Sequence, residues 1–298
     1  MKLSLCTWHL EHRFGYEKAF RMIKEAGFDA LDYNLDDWCG SAEVMQKSRH
    51  FSMTEQELAE YYARVNDCLQ SLGLEVGQTH AIFGAPAVRN HRDMYMKITV
   101  NNIIATSLLN CHHTVIHPVA LPNRFYDDNK EECHAFNLAL YRELLPYLEK
   151  YDVKVAIEPM WYRNSEGRIC PTVCSRPEEI LEFIDELGSE HFCSCPDLGH
   201  FALTGPDTGD TPAGALRKLG KTVEIIHAHE VEPNEDRHTK PYTFGTMDWA
   251  DIIAALREIG YAGNLNFEVG GNYFGKYPDE LVPESLRHLA QIGKGMLA

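Results

Sequence analysis

The sequence lacks long apolar runs and is poor in positive charge. No window of 18 or more residues is uniformly apolar, so we expect no membrane-spanning helix. The 298 residues include 28 Lys and Arg against 44 Asp and Glu, which gives a formal net charge of −16. Nucleic-acid surfaces depend on clustered Lys and Arg. An extended nucleic-acid interface is therefore not expected, and a small-molecule substrate is favoured.

The nine cysteines also lack the paired C-x2-C spacing that is typical of a zinc knuckle. We interpret all of them, including the pairs Cys170/Cys174 and Cys193/Cys195, as reduced structural thiols. The N-terminal apolar stretch is too short for a signal peptide, because charge resumes at Glu11. These features predict a cytoplasmic protein.

The overall composition is ordinary for a globular protein, with 44% hydrophobic and 24% charged residues. Short apolar segments alternate with longer amphipathic ones, and no linker-like stretch separates them. Barrels of about 250 residues with alternating strands and helices fold as one domain. The sequence therefore predicts an α/β protein, a single (β/α)8 TIM barrel over residues 1–298.

Eight short segments are predicted as buried parallel strands and eight longer ones as helices. The predicted strands are Lys2–Trp8, Ala30–Tyr33, Leu74–His80, His113–His117, Val153–Glu158, Phe192–Asp197, Val223–His229 and Asn264–Glu268. The predicted helices are Tyr16–Ala26, Thr54–Leu72, Arg92–Leu109, Lys130–Tyr151, Pro177–Leu187, Pro212–Leu219, Trp249–Ile259 and Glu280–Ile292. Several helices end at glycine, and Thr54 with Glu57 fits a capping box.

The longer insertions all follow a predicted strand rather than a helix. They are Asp36–Phe51, Pro118–Asn129, Pro159–Arg176 and Val231–Asp248, and we predict them as loops. In a (β/α)8 barrel the active site is built from the loops that follow the strands. The position of these insertions therefore favours an enzyme with its site at that end of the barrel.

A residue able to bind metal closes six successive predicted strands. The six are His80, His117, Glu158, Asp197, His229 and Glu268, at separations of 37, 41, 39, 32 and 39 residues. In a closed barrel these strand ends meet on one face. Burying carboxylates and imidazoles together is costly without a cation or mutual pairing. The pattern predicts a metal centre.

The primary ligand set is predicted to be Glu158, Asp197, His229 and Glu268. Carboxylates with one imidazole suit a single divalent ion such as Mn, Mg, Co or Zn. His227 lies two residues before His229, and we interpret it as a core histidine rather than a ligand. His200 either ligates, bonds the substrate or supports another ligand. His80 and His117 either hold a second metal or face the substrate.

The insertion after the seventh predicted strand contains Asp236 and His238, two residues apart. They are possible ligands of an additional metal or of a substrate oxygen. Arg237 between them offers a guanidinium for an anionic group, so we count it among the substrate-binding candidates.

At these residues the sequence resembles the xylose isomerase-like barrel superfamily of sugar phosphate isomerases and epimerases. The resemblance covers essentially the whole chain. It is carried by Thr79–His80, Ile116–Pro118, Ile157–Pro159, Pro196–His200, His227–Glu230, Gly245–Trp249 and Glu258–Val269.

The ketose 3-epimerases of that superfamily hold one metal by Glu, Asp, His and Glu. The resemblance assigns these roles to Glu158, Asp197, His229 and Glu268, and gives His200 a substrate-facing role. It implies that Glu158 and Glu268 exchange a proton with a substrate carbon from opposite faces, as base and acid, through an enediolate. A metal bridging the carbonyl and its neighbouring hydroxyl stabilises the developing negative charge.

Type IV apurinic endonucleases form a second branch, which resembles trinuclear zinc enzymes. Their extra ligands would map onto His80, His117, His200, Asp236 and His238. The acidic balance, the short segment between His229 and Asp236, and the lack of clustered Arg with aromatics argue against a nuclease. A metal-dependent dehydratase and an inactive binding relative stay as further alternatives.

Aromatic side chains near the expected mouth could stack on a sugar. These are Trp8, Trp38, Phe83, Trp161 and Tyr273, of which Trp8 and Trp161 are the favoured substrate contacts. Whether the substrate carries phosphate depends on Arg237 and on Arg124, Arg163 and Lys240, whose directions the sequence does not give. The family also implies a homodimer or tetramer.

Overall fold

The computed structural model of the chain describes residues 1–36, 39, 41–120 and 128–298, with the backbone alone at 85–87 and 271–272. Its strands are β1 (Leu3–Cys6), β2 (Ala30–Asn34), β3 (Glu75–His80), β4 (His113–Val115), β5 (Lys154–Ile157), β6 (Trp161–Arg163), β7 (Ile169–Pro171), β8 (Phe192–Ser194), β9 (Glu230–Glu232), β10 (Glu235–Thr239) and β11 (Leu265–Phe267). Seven of these pair in parallel, in the order β11-β1-β2-β3-β4-β5-β8, as one curled sheet.

Residues 223–228 close the ring between β8 and β11. Parallel bridges join Ser194 to Val223, Asp197 to His227, and Ala228 to Phe267. The predicted strand Val223–His229 is thus present as single bridges rather than as a continuous strand. The neighbouring Pro196 has no N–H to donate, which interrupts the ladder at this point. The closed α/β ring is the barrel that the sequence predicted.

The helices are α1 (Leu10–Phe14), α2 (Tyr16–Ala26), α3 (Ala42–Lys47), α4 (Arg49–Ser52), α5 (Glu55–Leu72), α6 (Ala85–Asn90), α7 (Arg92–Leu108), α8 (Lys130–Tyr151), α9 (Pro177–Leu187), α10 (Leu198–Thr208), α11 (Pro212–Leu219), α12 (Trp249–Glu258), α13 (Gly271–Phe274) and α14 (Val282–Leu297). Every predicted helix is present. The predicted capping box is confirmed, because Thr54 and Glu57 exchange side chain–backbone hydrogen bonds at the start of α5.

The predicted loops contain more regular structure than the sequence indicated. The segment Asp36–Phe51 includes α3 and most of α4, and Pro159–Arg176 includes the antiparallel hairpin β6–β7. The segment Val231–Asp248 includes most of the hairpin β9–β10. In the remaining predicted loop, Pro118–Asn129, residues 121–127 lie outside the described part of the chain.

The core has two layers. The large layer fills the space between the sheet and the helices, and a small cluster fills the inside of the barrel. That inner cluster consists of Val115, Ala156, Cys193, Cys195 and Ile225. All nine cysteines are free thiols, as expected, and eight of them are buried. None of the described helices is both long and apolar enough to span a bilayer.

Candidate metal centre and active site

The six residues predicted from the strand ends lie at the carboxyl end of the barrel. They are His80, His117, Glu158, Asp197, His229 and Glu268. Glu158 directly follows β5 and Glu268 directly follows β11. Asp197 caps α10, where its carboxylate accepts a 2.7 Å hydrogen bond from the His200 backbone N–H. The parallel strands therefore bring side chains from distant parts of the sequence to one buried face.

A central group is formed by Glu158, Asp197, His227 and Glu268, all buried, with potential ligand atoms within 4.8 Å of one another. The Nδ1 atom of His227 lies 3.4 Å from Glu158 Oε2 and 3.3 Å from Glu268 Oε2. The sequence analysis interprets His227 as a core histidine rather than a ligand, and the structure places this completely buried residue among the potential ligands of the central group. Its two-residue spacing from His229 was the available signal, since both point to the same side.

His227 is oriented from behind by a buried carboxylate. Its Nε2 atom lies 3.2 Å from Asp32 Oδ2. Asp32 is held in turn by Gln78 at 3.3 Å and by Asn266 at 2.9 Å. A carboxylate behind an imidazole is the common arrangement that orients a metal-binding histidine. Sequence reasoning had assigned none of these three supporting residues.

An outer group consists of His200, His229, Asp236 and His238. Asp236 Oδ2 lies 3.1 Å from His238 Nε2 and 3.4 Å from His200 Nε2. His229 joins the two groups, because its Nε2 atom is 3.0 Å from both carboxylate oxygens of Asp197. The predicted ligand His229 is therefore in contact with the central group but belongs geometrically to the outer one. Its role as the primary imidazole ligand stays a prediction.

A side group consists of His80, His117 and Glu158. The Nε2 atoms of His80 and His117 are 3.0 Å apart, and His117 Nε2 is also 3.0 Å from Glu158 Oε2. Three lone-pair donors that converge in this way fit a cation or a shared proton. Glu158 belongs to both the side and the central groups.

Four of the histidines share one orientation. His80, His200, His229 and His238 each direct Nδ1–H to a backbone carbonyl, those of Ala81, Pro159, Glu230 and Glu268 respectively. Since a carbonyl can only accept, Nδ1 carries a hydrogen in each of these rings, and Nε2 is the nitrogen directed at the carboxylates and at His117. The backbone therefore turns the ligating nitrogen of each ring toward the site.

Two buried carboxylate oxygens, one in the central group and one in the outer group, are short of hydrogen-bond partners. Glu268 Oε2 and Asp236 Oδ1 are buried and accept no hydrogen bond from the described residues. Buried carboxylates are normally paired, hydrogen-bonded or bound to metal. The orphaned oxygens and the mixture of carboxylate and imidazole donors fit a divalent metal of the Mn, Co, Mg or Zn type.

The surroundings separate the two candidate acid–base glutamates. Burial acts to raise the pKa of Glu158, but His117 and His227 hold that pKa well below its ordinary value. Burial raises the pKa of Glu268, and its neighbours His227 and His238 only partly oppose this. In the metal-free protein, Glu158 is thus the firmly ionised carboxylate and Glu268 is the one that more readily holds a proton.

The hairpin β9–β10 delivers Asp236 and His238 to the site. Glu230, at the start of the hairpin, is completely buried. Its carboxylate accepts hydrogen bonds from the backbone N–H of Tyr242 at 3.0 Å and from Trp249 Nε1 at 2.9 Å. This buried carboxylate fastens the hairpin and the following turn to the barrel.

A cavity of about 530 Å3 opens over the three groups. His80, His117, Glu158, His200, Asp236, His238 and Glu268 form its polar side. Trp8 and Trp161, the predicted substrate contacts, line its wall, and Trp161 Nε1 donates to Asp236 at 3.2 Å. Asp197 and His229 lie beneath the lining. A sugar in this cavity would therefore meet both carboxylates and an aromatic wall.

Arg237 does not take the position that the sequence suggested. Its side chain pairs with Glu232 at 3.1 Å, is about half exposed, and is not among the described residues that line the cavity. Neighbouring positions in an antiparallel strand point to opposite faces. Because Asp236 and His238 point into the site, Arg237 points away. Trp38 and Arg124 lie outside the described residues.

The sequence profile of the xylose isomerase-like TIM barrel family matches residues 15–292. The chain belongs to this family. An uncharacterised protein from Methanocaldococcus jannaschii is 24% identical over 273 residues, covering 88% of this chain and 85% of that protein.

Two further similarities involve sugar epimerases. The D-psicose 3-epimerase of Enterocloster bolteae is 34% identical over 122 residues, which is 41% of this chain and 35% of the epimerase. The crystal structure of a D-tagatose 3-epimerase-like protein superposes with a TM-score of 0.71 at 19% identity, covering 100% of this chain and 97% of that chain. The structural likeness establishes the fold.

Proposed function

We propose that the chain is a divalent-metal-dependent isomerase or epimerase of a small sugar, sugar phosphate or polyol that acts through an enediolate. One observation carries this proposal. Glu158 and Glu268 come from well-separated strands, line the same cavity and approach a single nitrogen of His227 at 3.4 and 3.3 Å. Two carboxylates that lie this close together and line one cavity suit proton removal and return at a single carbon.

The metal would be held by Glu158, Asp197, His229 and Glu268, with His227 as the alternative imidazole ligand. When bound, it supplies positive charge that stabilises the oxygen of a deprotonated substrate. Glu158 removes the proton as the base, and Glu268 returns a proton from the other side as the acid. His200, Trp8 and Trp161 orient the sugar. The partial identity to a D-psicose 3-epimerase supports this assignment.

Solvent hydrogen exchange tests the proposal. Protein purified without chelators and loaded with manganese is incubated in D2O with D-fructose or D-psicose. Deuterium at the carbon next to the carbonyl is then followed by NMR. We expect metal-dependent exchange that is lost in Glu158→Gln and in Glu268→Gln. Unchanged exchange in either variant would show that the two-base mechanism is wrong, and binding without any exchange would indicate a binding protein.

Phosphoester hydrolysis is the second candidate, because the outer and side groups complete metal-like sets beside the central one. Metal-assisted hydrolysis at adjacent ions is a common way to cleave phosphodiesters. Elemental mass spectrometry of the chelator-free protein separates the two functions. One ion per chain supports the isomerase or epimerase. Two or three zinc ions together with cleavage of abasic DNA would favour the hydrolase.

A further inference from the structure

Two antiparallel hairpins, β6–β7 and β9–β10, each supply residues to the lining of the cavity. The first supplies Trp161 and the second supplies Asp236. These two side chains meet between the hairpins, because Trp161 Nε1 donates to Asp236 Oδ2 at 3.2 Å. Within the described chain, each hairpin forms a two-stranded sheet of its own. The contact between the indole and the carboxylate therefore depends on how the two hairpins are held to each other.

The turn of β9–β10 is fastened to β6–β7 by one asparagine. Asn234 follows Pro233 in the short turn between β9 and β10 and has a φ of 60°, which asparagine tolerates better than most residues. Its side-chain oxygen accepts from the backbone N–H of Ile169 at 2.6 Å, and its side-chain nitrogen donates to the carbonyl of Gly167 at 3.1 Å. Both ends of this amide thus bond the other hairpin.

An arginine of β6 joins the same junction. Arg163 donates to the carbonyl of Gly167 at 2.6 Å, and both of its terminal nitrogens lie 3.3 Å from the carbonyl oxygen of Asn234. It also pairs with Glu235 at 3.4 Å. Trp161 lies two residues earlier in the same strand, so the two side chains share a face, with the guanidinium carbon 5.9 Å from the centre of the ring. Arg163 therefore contacts both the neighbouring hairpin and the indole.

Asp236 is the point at which this junction reaches the site. It lies two residues after Asn234, and the oxygen that accepts from Trp161 also contacts His200 and His238. The two candidate acid–base glutamates, by contrast, directly follow strands of the barrel sheet. A displacement of one hairpin against the other would therefore move the aromatic wall and Asp236 and leave the two glutamates in place.

We propose that Asn234 and Arg163 are positioning residues that clamp the two hairpins together and hold the Trp161 indole on Asp236. Because Trp161 lies in the cavity wall, this clamp sets the affinity of the site for a sugar and leaves proton transfer at the glutamates unaffected. The effect on the sugar rests on the proposed function, whereas the clamp itself is measurable without turnover.

Hydrogen exchange of the Trp161 indole N–H, followed by NMR, measures the clamp directly. Protein labelled with 15N-tryptophan gives one indole signal for each of the four tryptophans, and Trp161→Phe identifies the relevant one. Asn234→Gly keeps the left-handed turn and deletes both amide hydrogen bonds. We expect it to accelerate exchange of the Trp161 signal by about tenfold, the order of magnitude that one or two hydrogen bonds contribute. Arg163→Met should act in the same direction.

Two further variants calibrate this result. Asn234→Asp keeps an acceptor for the N–H of Ile169 but loses the donor to Gly167, so its exchange rate should lie between those of the wild type and Asn234→Gly. Asn110→Gly is the matched control, because Asn110 is also exposed and has a φ of 55° but lies at the end of α7. It should leave the exchange of the Trp161 signal unchanged.

Kinetics separate positioning from a merely structural effect. Solvent hydrogen exchange into D-psicose, catalysed by the manganese-loaded protein, gives KM and kcat. We expect Asn234→Gly to raise KM about fivefold, with kcat close to that of the wild type. In Trp161→Phe, which lacks the indole N–H, the same substitution should change KM little, because the contact that the clamp holds is already lost.

Equal indole exchange in the wild type and Asn234→Gly would overturn the inference. So would a KM effect that persists in full in Trp161→Phe, or a fall in kcat at constant KM. If neither D-psicose nor D-fructose exchanges hydrogen, the proposed function fails and takes the effect on sugar affinity with it. The indole exchange then still decides whether Asn234 and Arg163 hold Trp161 on Asp236.

Discussion

The two ends of the barrel pair their charged side chains in opposite ways. At the amino end of the strands, one carboxylate meets two donors, since Glu224 accepts from His113 Nε2 and from Lys154 Nζ, both at 2.7 Å. At the carboxyl end, four carboxylates lie among six histidines, and Glu268 Oε2 and Asp236 Oδ1 lack hydrogen-bond partners among the described residues. The first end is internally balanced. The second, in the function proposed above, is completed by a bound metal.

This difference in charge pairing indicates that one end of the sheet contributes stability and the other contributes function. The inner cluster around Cys193 and Ile225 lies between the two ends. In this fold the carboxyl ends of the strands carry the chemistry, and the amino ends contribute stability. Matched Glu→Gln substitutions at the two ends, which alter charge and little else, should therefore have different consequences.

The largest expected effect is on turnover. Glu158→Gln removes the ionised base, so solvent exchange should fall by about 100-fold or more, a typical contribution of general acid–base catalysis. Glu224→Gln, at the other end of the barrel, should leave the exchange rate close to that of the wild type. If the exchange rates of both variants fell to the same extent, the two ends would not be functionally distinct.

Metal removal should give the next largest effect, and only through the carboxyl end. A chelator should lower the melting temperature, and added manganese should restore it. Ligand at 100 times its Kd stabilises the native state by about 2.7 kcal/mol. The restoration should persist in Glu224→Gln and should be smaller in Asp197→Asn. Identical melting curves with and without metal in the wild type would contradict a resident cation.

In metal-free protein, Glu→Gln substitutions at the two ends of the barrel should change the free energy of unfolding in opposite directions. Glu268→Gln relieves a carboxylate whose charged form is disfavoured by burial, so it should raise the free energy of unfolding by about 1 kcal/mol. Glu224→Gln leaves Lys154 and His113 without their shared anion and should lower it. Urea denaturation after chelation measures both changes. A loss of stability in both variants would show that the carboxyl end is also internally balanced.

The smallest expected effect is the pH dependence of the amino end. His113 and then Lys154 lower the pKa of Glu224 to about 2, against a partly opposing effect of burial. Since the folded pKa lies below the unfolded one, this pair stabilises above about pH 4.5 and loses its effect as the pH falls toward 2. Glu224 is about one-third exposed, so solvent screening limits the effect to under about 1 kcal/mol. The stability difference between wild type and Glu224→Gln should shrink over this interval, and a constant difference would contradict the pairing.

Much of the barrel could be predicted because its pattern is local. A short apolar run indicates each strand. A helical period of apolar residues, with capping residues such as Thr54 and Gly73, indicates each helix. The spacing from His80 to Glu268 likewise follows from the repeating unit, and the structure brings these side chains to one face. The central position of His227 could not be predicted, because it depends on Asp32, Gln78 and Asn266 in three other strands.

Short elements inside the predicted loops were missed for a related reason. The hairpin β9–β10 has polar, charged strands, and its place is set by the contacts of Glu230 rather than by an apolar pattern. The outward direction of Arg237 follows from that hairpin. Tertiary contacts therefore decide these positions. The cytoplasmic location, the single-domain boundary at 1–298 and the dimer or tetramer stay predictions.

The fastening of β9–β10 by Glu230 bears on how such an enzyme diversifies. The residues of the central group follow strand positions that also hold the barrel together, so substitutions there put folding at risk. Asp236 and His238 come instead from one appended hairpin, secured at its base. A few insertions or deletions beyond Glu230 can remodel or discard half of the outer group while the barrel is inherited intact. New chemistry can therefore arise at this site by replacement of the hairpin β9–β10.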